Sequence, residues 1–98
     1  MLESTFQKKL KRELKKRFPG CIIMKNDARQ IQGIPDLLIL YKDRWAMLEV
    51  KRSANASKRT NQDLYVERMN ELSFASFICP ENFEEVLNAL ERSLTRSA

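Results

Sequence analysis

The 98-residue sequence contains no histidine, only two cysteines, and no apolar run that approaches the length of a membrane span. The absence of histidine excludes imidazole-based zinc sites, histidine-metal nucleases and Ser-His or Cys-His nucleophile pairs. Without roughly 20 consecutive apolar residues, and without an N-terminal secretion signal, the sequence predicts a soluble cytoplasmic protein. Any catalysis must therefore depend on carboxylates, lysine and metal ions.

Both cysteines lie in apolar segments. Cys21 belongs to CIIM and Cys79 to FASFIC, where a reduced thiol behaves as a small buried hydrophobic group. This placement argues against a disulfide-stabilised secreted protein. A chain of this length predicts one domain, residues 1–98, with a single core between two layers.

Positive charge is concentrated at the start of the chain. The formal net charge is +5; residues 1–18 carry seven Lys and Arg against two Glu, whereas residues 80–98 carry four Glu against two Arg. Such a distribution favours attraction to a polyanion such as nucleic acid. A solvated helix face would have the same composition, so the charge alone leaves both interpretations open.

Apolar spacing predicts a helix at the start of the chain and three strands after it. Leucine or phenylalanine recurs at every fourth position from Leu2 to Phe18, which predicts a helix that the sequence FPG then ends. The segments CIIMKN, DLLILY and RWAMLEVK consist largely of strand-forming residues. Because only the tight turn KDR separates the last two, we expect a meander of three antiparallel strands.

The second half of the chain predicts a helix, a strand and a further helix. Thr60 is predicted to cap a second helix from about Asn61 to Leu72, with Asp63 in the capping box. FASFIC then forms a strand, and Pro80 leads into a last helix with one apolar face. A strand-helix-strand crossover makes its two strands parallel. The order αβββαβα therefore predicts an α/β fold with a mixed four-stranded sheet flanked by helices.

Three charged residues, Asp36, Glu49 and Lys51, stand in or beside the strands of the predicted meander. Side chains alternate along a strand, so Glu49 and Lys51 share one face. Asp36 begins the preceding strand, and antiparallel pairing across the turn places position 36 opposite about position 50. Two carboxylates and a lysine therefore converge at one end of the sheet.

Close carboxylates repel each other unless a proton or a cation lies between them. Their oxygens suit Mg²⁺ or Mn²⁺ held partly by water and by substrate phosphate, and the backbone carbonyl of Val50 can complete the ligand set. Lys51 would orient the attacking water or stabilise developing negative charge. A Glu-x-Lys pair alone is common on exposed strands, but the preceding Gly-Ile-Pro-Asp and the hairpin spacing favour phosphodiester hydrolysis.

The segments GIPDLLIL and MLEVK resemble the motif of the PD-(D/E)xK nucleases. The chain is more closely similar to their virus-type replication-repair nuclease (VRR-NUC) family, of the small phage type, through ESTFQ in the first helix and TNQ at the start of the second. The resemblance implies a restriction-endonuclease-like fold and divalent-metal cleavage of DNA. In small viral members it implies a homodimer that resolves branched DNA such as Holliday junctions, in the host cytoplasm.

The resemblance also implies an acidic residue from the first helix and a glutamine from the second. Glu3 lies within about 20° of the centre of the predicted apolar stripe and Glu13 about 60° from it. A carboxylate in a buried stripe is costly unless something binds it, so Glu3 is the better candidate. Gln62 lies on the inward face of the second helix. The alternatives are a charge at a frayed helix end for Glu3 and an ordinary helix-start amide for Gln62.

Polar residues near the predicted metal ligands are candidates for DNA contact. They are Lys25, Asn26, Arg29, Gln32 and Arg52. Contacts of this kind to phosphates position a protein on DNA. A solvated basic loop has the same composition.

The sequence leaves three functions open. The first is a metal-dependent endonuclease on branched DNA, the second a nicking or homing-type endonuclease on duplex DNA, and the third a DNA-binding module without activity. The complete set of Asp36, Glu49 and Lys51 favours an enzyme. Symmetric cleavage of a junction needs two sites related by a two-fold axis, so we expect a homodimer, with the first helix and the strands near Met47 as candidate interfaces.

Overall fold

The computed structural model describes residues 2–96, and within this range the elements follow the predicted order αβββαβα. They are α1 (Glu3–Arg17), β1 (Ile22–Lys25), β2 (Leu37–Tyr41), β3 (Arg44–Val50), α2 (Gln62–Leu72), β4 (Phe74–Ile78) and α3 (Phe83–Thr95), with a 3-10 turn at Pro80–Asn82 before α3. None of these helices has the length and apolar character that crossing a membrane would require.

The four strands form one mixed sheet in the order β1-β2-β3-β4. β2 pairs antiparallel with both β1 and β3, and β4 pairs parallel with β3, as predicted. Tyr41 pairs with Arg44, so the turn between β2 and β3 consists of Lys42 and Asp43 alone. Lys42 has a positive φ of 56°, which the favoured two-residue hairpin turns require. This short turn sets the register of the whole hairpin.

One face of the sheet carries the hydrophobic core, and α1 and α3 cover it. Phe6 of α1 packs edge-to-face against Phe83 of α3, with 5.6 Å between ring centroids, and Phe18 packs in the same way against Tyr41 at 5.3 Å. The buried strand residues on this face are Leu37, Ile39, Ala46, Leu48, Val50 and Ile78. Because these side chains lie between the sheet and the two helices, they are removed from water, and this face contributes most of the hydrophobic stabilisation.

The opposite face of the sheet is only partly covered. α2 packs on β3 and β4, and the one buried side chain of this helix is Gln62. On β1, Ile22 is 57% exposed and Met24 is 50% exposed. This face therefore combines a polar cluster beneath the start of α2 with an exposed apolar surface on β1.

The predicted N-cap of the second helix is wrong. The helix begins at Gln62, its N-cap is Asn61 in the left-handed conformation (φ 68°), and no side chain caps it. Instead, the Asp63 carboxylate forms an ion pair with Lys58, with 2.9 Å between Nζ and Oδ1. The carboxylate is therefore engaged outside the helix, and Thr60 has no partner for a capping box.

The apolar stripe of the first helix is shorter than predicted. Leu2 is 70% exposed, because it precedes the first turn, and the buried residues of α1 begin at Phe6. Glu3 is exposed as well. The prediction that Glu3 lies within a buried stripe is therefore wrong. Whether Glu3 reaches the predicted site depends on where the start of α1 lies.

Candidate active site

The hairpin brings the two predicted carboxylates together where β2 begins and β3 ends. Leu37 pairs with Leu48, and the next step of this register aligns Asp36 with Glu49. Asp36 Oδ2 accepts a hydrogen bond from the backbone N–H of Val50 at 3.0 Å. This bond fixes the Asp36 side chain against the end of β3.

Glu49 is a buried carboxylate without full compensation. Its side chain is 3% exposed, and Oε1 has no hydrogen-bond partner among residues 2–96. Burial, and then the negative charge of Asp36, raise the pKa of Glu49 to about 8, against the opposing charge of Lys51. An oxygen in this environment has a strong tendency to bind a proton or a cation.

Gln62 connects the start of α2 to the end of β3. Its Nε2 donates to Glu49 Oε2 at 2.9 Å, and its Oε1 accepts from Lys51 Nζ and from the backbone N–H of Arg59, both at 2.8 Å. All three contacts are compatible with only one orientation of the amide. The amide therefore holds the Glu49 carboxylate and the Lys51 ammonium group in fixed positions.

Lys51 follows directly after β3 and is almost buried. Its Nζ donates to Gln62 Oε1 and to the carbonyl oxygen of Ser57 at 3.1 Å, and it lies 3.8 Å from Glu49 Oε2. An ammonium group has three N–H donors. With two of them engaged, one remains for water or substrate.

Glu3 joins these residues from the first helix. A cleft of about 70 Å³, here named the central cleft, is lined by Glu3, Asp36, Glu49, Lys51, Arg59 and Gln62. All five side chains that the sequence predicts as catalytic therefore line one cleft. Glu3 contributes from its rim, because it is exposed.

The carbonyl of Val50 is free of the sheet ladder on the side of β2. Continuing the β2–β3 register places Pro35 opposite Val50, and proline has no N–H to donate. The carbonyl of Pro35 is engaged elsewhere, because it accepts from the Asn26 side chain at 2.9 Å. The proline before Asp36 thus leaves the Val50 oxygen available to a ligand.

The oxygen ligands at this site fit a divalent cation that retains some of its bound water molecules. Among residues 2–96, no three His, Cys, Asp or Glu side chains are grouped so that they could hold a metal by themselves. Asp36, Glu49 and the Val50 carbonyl would supply part of the ligand set, and Mg²⁺ sites ordinarily leave the rest to water and phosphate oxygens. The unpartnered Oε1 of Glu49 is the observation that supports this fit.

Two wider clefts flank the central cleft and contain three of the predicted DNA-binding residues. One, of about 230 Å³, includes Arg29 and Gln32. The other, of about 480 Å³, includes Arg52 with Ser57. Arg29 also pairs with Asp27, at 3.0 Å between Nη2 and Oδ2, so part of its charge is already neutralised.

The other two predicted DNA-binding residues line none of these three clefts. Lys25 is exposed at the end of β1. Asn26 has a structural role: its N–H donates to the Asp36 carbonyl at 2.7 Å, and its side chain binds the carbonyl of Pro35. It therefore pins the loop that carries the Pro-Asp pair.

Arg59 is a site residue that the sequence did not predict. It lines the central cleft and both flanking clefts. The signal available in the sequence is the basic pair Lys58-Arg59 just before the helix that carries Gln62. A larger cavity of about 670 Å³ lies at the opposite end of β3, around Arg44 and Arg92; none of the carboxylates within residues 2–96 lines it.

A scan against protein-family models found no match, and a search of curated proteins found none. Among solved structures, the chain is similar to one described as "VRR_NUC domain". The two sequences are 26% identical, the TM-score is 0.68, and the alignment covers 91% of this chain and 94% of that chain. The resemblance to the VRR-NUC family is therefore confirmed, and the protein has the restriction-endonuclease-like fold of a VRR-NUC nuclease domain.

Proposed function

We propose that this protein is a divalent-metal-dependent endonuclease that hydrolyses phosphodiester bonds in branched DNA, in the manner of a Holliday-junction resolvase. The observation that carries the proposal is the central cleft. Two close carboxylates, one of them buried with an unpartnered oxygen, lie beside a lysine that retains a donor. The VRR-NUC fold supports a nuclease, and the excess of positive charge supports DNA as its substrate.

The metal ligands in this proposal are Asp36, Glu49 and the Val50 carbonyl, with Glu3 acting from the rim. Bound Mg²⁺ or Mn²⁺ would activate water and neutralise charge on the phosphate. Lys51 donates its remaining N–H to the attacking water or to a phosphate oxygen. Gln62 holds Lys51 and Glu49 in the geometry that this requires.

The experiment that tests the proposal is cleavage of a labelled four-way junction, with and without Mn²⁺, with the ends mapped on all four strands. We expect metal-dependent cuts at symmetric positions on opposing strands. Asp36→Asn should abolish them, whereas Asp43→Asn, in the exposed hairpin turn, should not. Junction, flap and duplex DNA that all stay intact with either Mg²⁺ or Mn²⁺ would disprove the proposal.

Two other functions share parts of this site. A nicking or homing-type endonuclease would cut linear duplex arms as fast as the junction when the two compete. A DNA-binding module without activity would bind DNA in a salt-sensitive manner, indifferent to metal and to Lys51→Ala. The burial of Glu49 favours an enzyme, because a carboxylate that is only partly compensated costs stability and has no use in a simple binding surface.

A homodimer is part of the proposal, because symmetric cleavage requires two sites. The exposed apolar surface of β1, with Ile22 and Met24, adjoins the strands near Met47 and suits an interface between two copies. Sedimentation equilibrium tests this arrangement. Met24→Lys should shift the protein to monomer, whereas Leu72→Lys, which alters an equally apolar residue at the end of α2, should not. A dimer that persists in Met24→Lys excludes this face.

A further inference from the structure

Arg59 occupies a distinctive place among the basic residues near the central cleft. It is the residue that lines the central cleft and both clefts beside it. Arg29 reaches only one flanking cleft and Arg52 only the other. A DNA strand that passes across the carboxylates along this path would therefore meet Arg59 at the point of cleavage.

Arg59 differs from its neighbour in what its side chain does. The Lys58 ammonium group pairs with Asp63 at 2.9 Å and lies 4.5 Å from the centre of the Phe77 ring. Within residues 2–96, no hydrogen bond or ion pair holds the guanidinium group of Arg59, although carboxylates line the same cleft. The Lys58 side chain is therefore engaged in contacts within the fold, whereas the guanidinium group of Arg59, which has the same charge, is available to bind a ligand.

The backbone of Arg59 is nevertheless fixed. Its N–H donates to Gln62 Oε1 at 2.8 Å, the same oxygen that accepts from Lys51. Two residues later, Asn61, with φ 68°, packs against Gly33, where a Cβ atom would lie 2.6 Å from the Asn61 carbonyl carbon. These contacts hold the start of the Arg59 side chain beside the site and leave its guanidinium end unengaged.

The charges of the central cleft call for a further cation. Glu3, Asp36 and Glu49 line it, and Lys51 is the lysine beside them. When all three carboxylates are ionised, Lys51 and the proposed divalent cation together offset their charge, so the negative charge of an approaching phosphodiester is left without a cation. Arginine suits this position, because its planar fork donates two parallel hydrogen bonds to phosphate oxygens.

We propose that Arg59 binds the non-bridging oxygens of the phosphodiester that is cut, in contrast to the structural role of Lys58. This inference depends on the proposed endonuclease function. The guanidinium group would compensate the carboxylates when DNA binds and would stabilise the negative charge that grows on the phosphate during attack. Through its backbone, the same residue holds the amide of Gln62 that orients Lys51.

The test compares Arg59→Gln, Arg59→Lys and the matched control Lys58→Gln in single-turnover cleavage of a four-way junction with Mn²⁺ at saturating enzyme. We expect Arg59→Gln to lower the rate constant about 10²–10³-fold. Arg59→Lys should recover it only in part, because lysine lacks the planar fork. Lys58→Gln should stay within about threefold, because an exposed ion pair of this kind is worth little.

A second readout separates phosphate binding from a structural role. Neutral methylphosphonates are placed singly at the scissile phosphate and at its neighbours on each side. For each protein, the measured quantity is the fold-decrease in cleavage rate that each methylphosphonate causes. We expect the fold-decrease at the scissile phosphate to be smaller in Arg59→Gln than in the parent, and to be unchanged in Lys58→Gln. Unchanged thermal unfolding of Arg59→Gln should accompany this result, because the substituted side chain makes no bond within the fold.

The outcomes separate this inference from the function on which it depends. If the parent cuts DNA and Arg59→Gln cuts within threefold of it, or if both give the same methylphosphonate profile, Arg59 does not bind the scissile phosphate and the endonuclease proposal stands. If the parent cuts no DNA in either metal, both proposals fall together.

Discussion

The two faces of the sheet differ in what they bury. The face beneath α1 and α3 buries only apolar side chains, such as Leu37 and Leu48. The other face buries Glu49 and Gln62 and leaves Ile22 half-exposed. Apolar burial on the first face stabilises the fold. This stabilisation offsets the free-energy cost of holding a carboxylate away from water on the second face. Successive residues of one strand therefore have different roles, one in the core and the next in the site. Substitutions at neighbouring positions test this difference.

The largest expected effect concerns Glu49. Glu49→Gln keeps the shape of the side chain and an oxygen for Gln62 Nε2, but removes the charge that would bind metal. We expect cleavage of a four-way junction with Mn²⁺ to fall about 10³-fold, while Glu91→Gln on the exposed side of α3 leaves it unchanged. A Glu49→Gln protein that cuts within tenfold of the parent would exclude Glu49 as a ligand in the proposed metal site.

The next effect separates the two faces by adjacent leucines of β2. Leu37 is fully buried in the core, whereas Leu38 points to the other face and is half-buried. In urea unfolding of the metal-free protein, Leu37→Ala should cost about 2–5 kcal/mol. Leu38→Ala should cost about 1 kcal/mol or less of monomer stability. Equal costs would show that both faces contribute alike to the core.

A third effect is the pH dependence of stability. The folded protein holds the Glu49 proton more tightly than the unfolded chain, because the pKa is raised from 4.5 to about 8. This carboxyl therefore stabilises the metal-free fold fully below pH 4.5, and its contribution is lost as the pH rises to about 8. With chelator present, the stability difference between Glu49→Gln and the parent should grow in favour of the variant across this window. A difference that does not vary with pH would contradict the burial of an ionisable carboxylate.

The smallest effect concerns Pro35. Alanine at this position would offer an N–H to the Val50 carbonyl and so compete with a metal ion for that oxygen. We expect Mn²⁺ affinity, measured by titration calorimetry, to fall by a factor equivalent to about 1 kcal/mol. Pro80→Ala, at the 3-10 turn, serves as the control for the loss of a proline ring. Unaltered affinity in Pro35→Ala would show that the Val50 carbonyl is not a ligand.

The elements and the centre of the site are predictable from the sequence because they depend on short-range rules. Alternation along β3 puts Glu49 and Lys51 on one face, and a two-residue turn leaves the hairpin little choice of register. Asp36 could therefore be placed beside Glu49 from spacing alone. The end of α1 at FPG follows from an equally local signal, and the parallel pairing of β4 follows from the crossover through α2.

Other features required the folded structure. The N-cap of α2 is Asn61 rather than Thr60; Asn61 has a left-handed backbone packed against Gly33, and no helix-start rule anticipates a contact between such distant residues. The burial argument for Glu3 fails because Leu2 is exposed, yet α1, which packs on the core face of the sheet, still brings Glu3 to the cleft. Arg59 carried no sequence signal beyond its charge.

The sequence by itself determined the order of the elements and the convergence of Asp36, Glu49 and Lys51, because strand alternation and a tight turn act over a few residues. Only the tertiary structure decided that Gln62 bridges Lys51 and Glu49, that Glu3 stands at the rim, and that Arg59 spans three clefts. The reason is physical: these residues come from separate elements, and their positions depend on how α1 and α2 pack on the sheet rather than on any spacing along the chain.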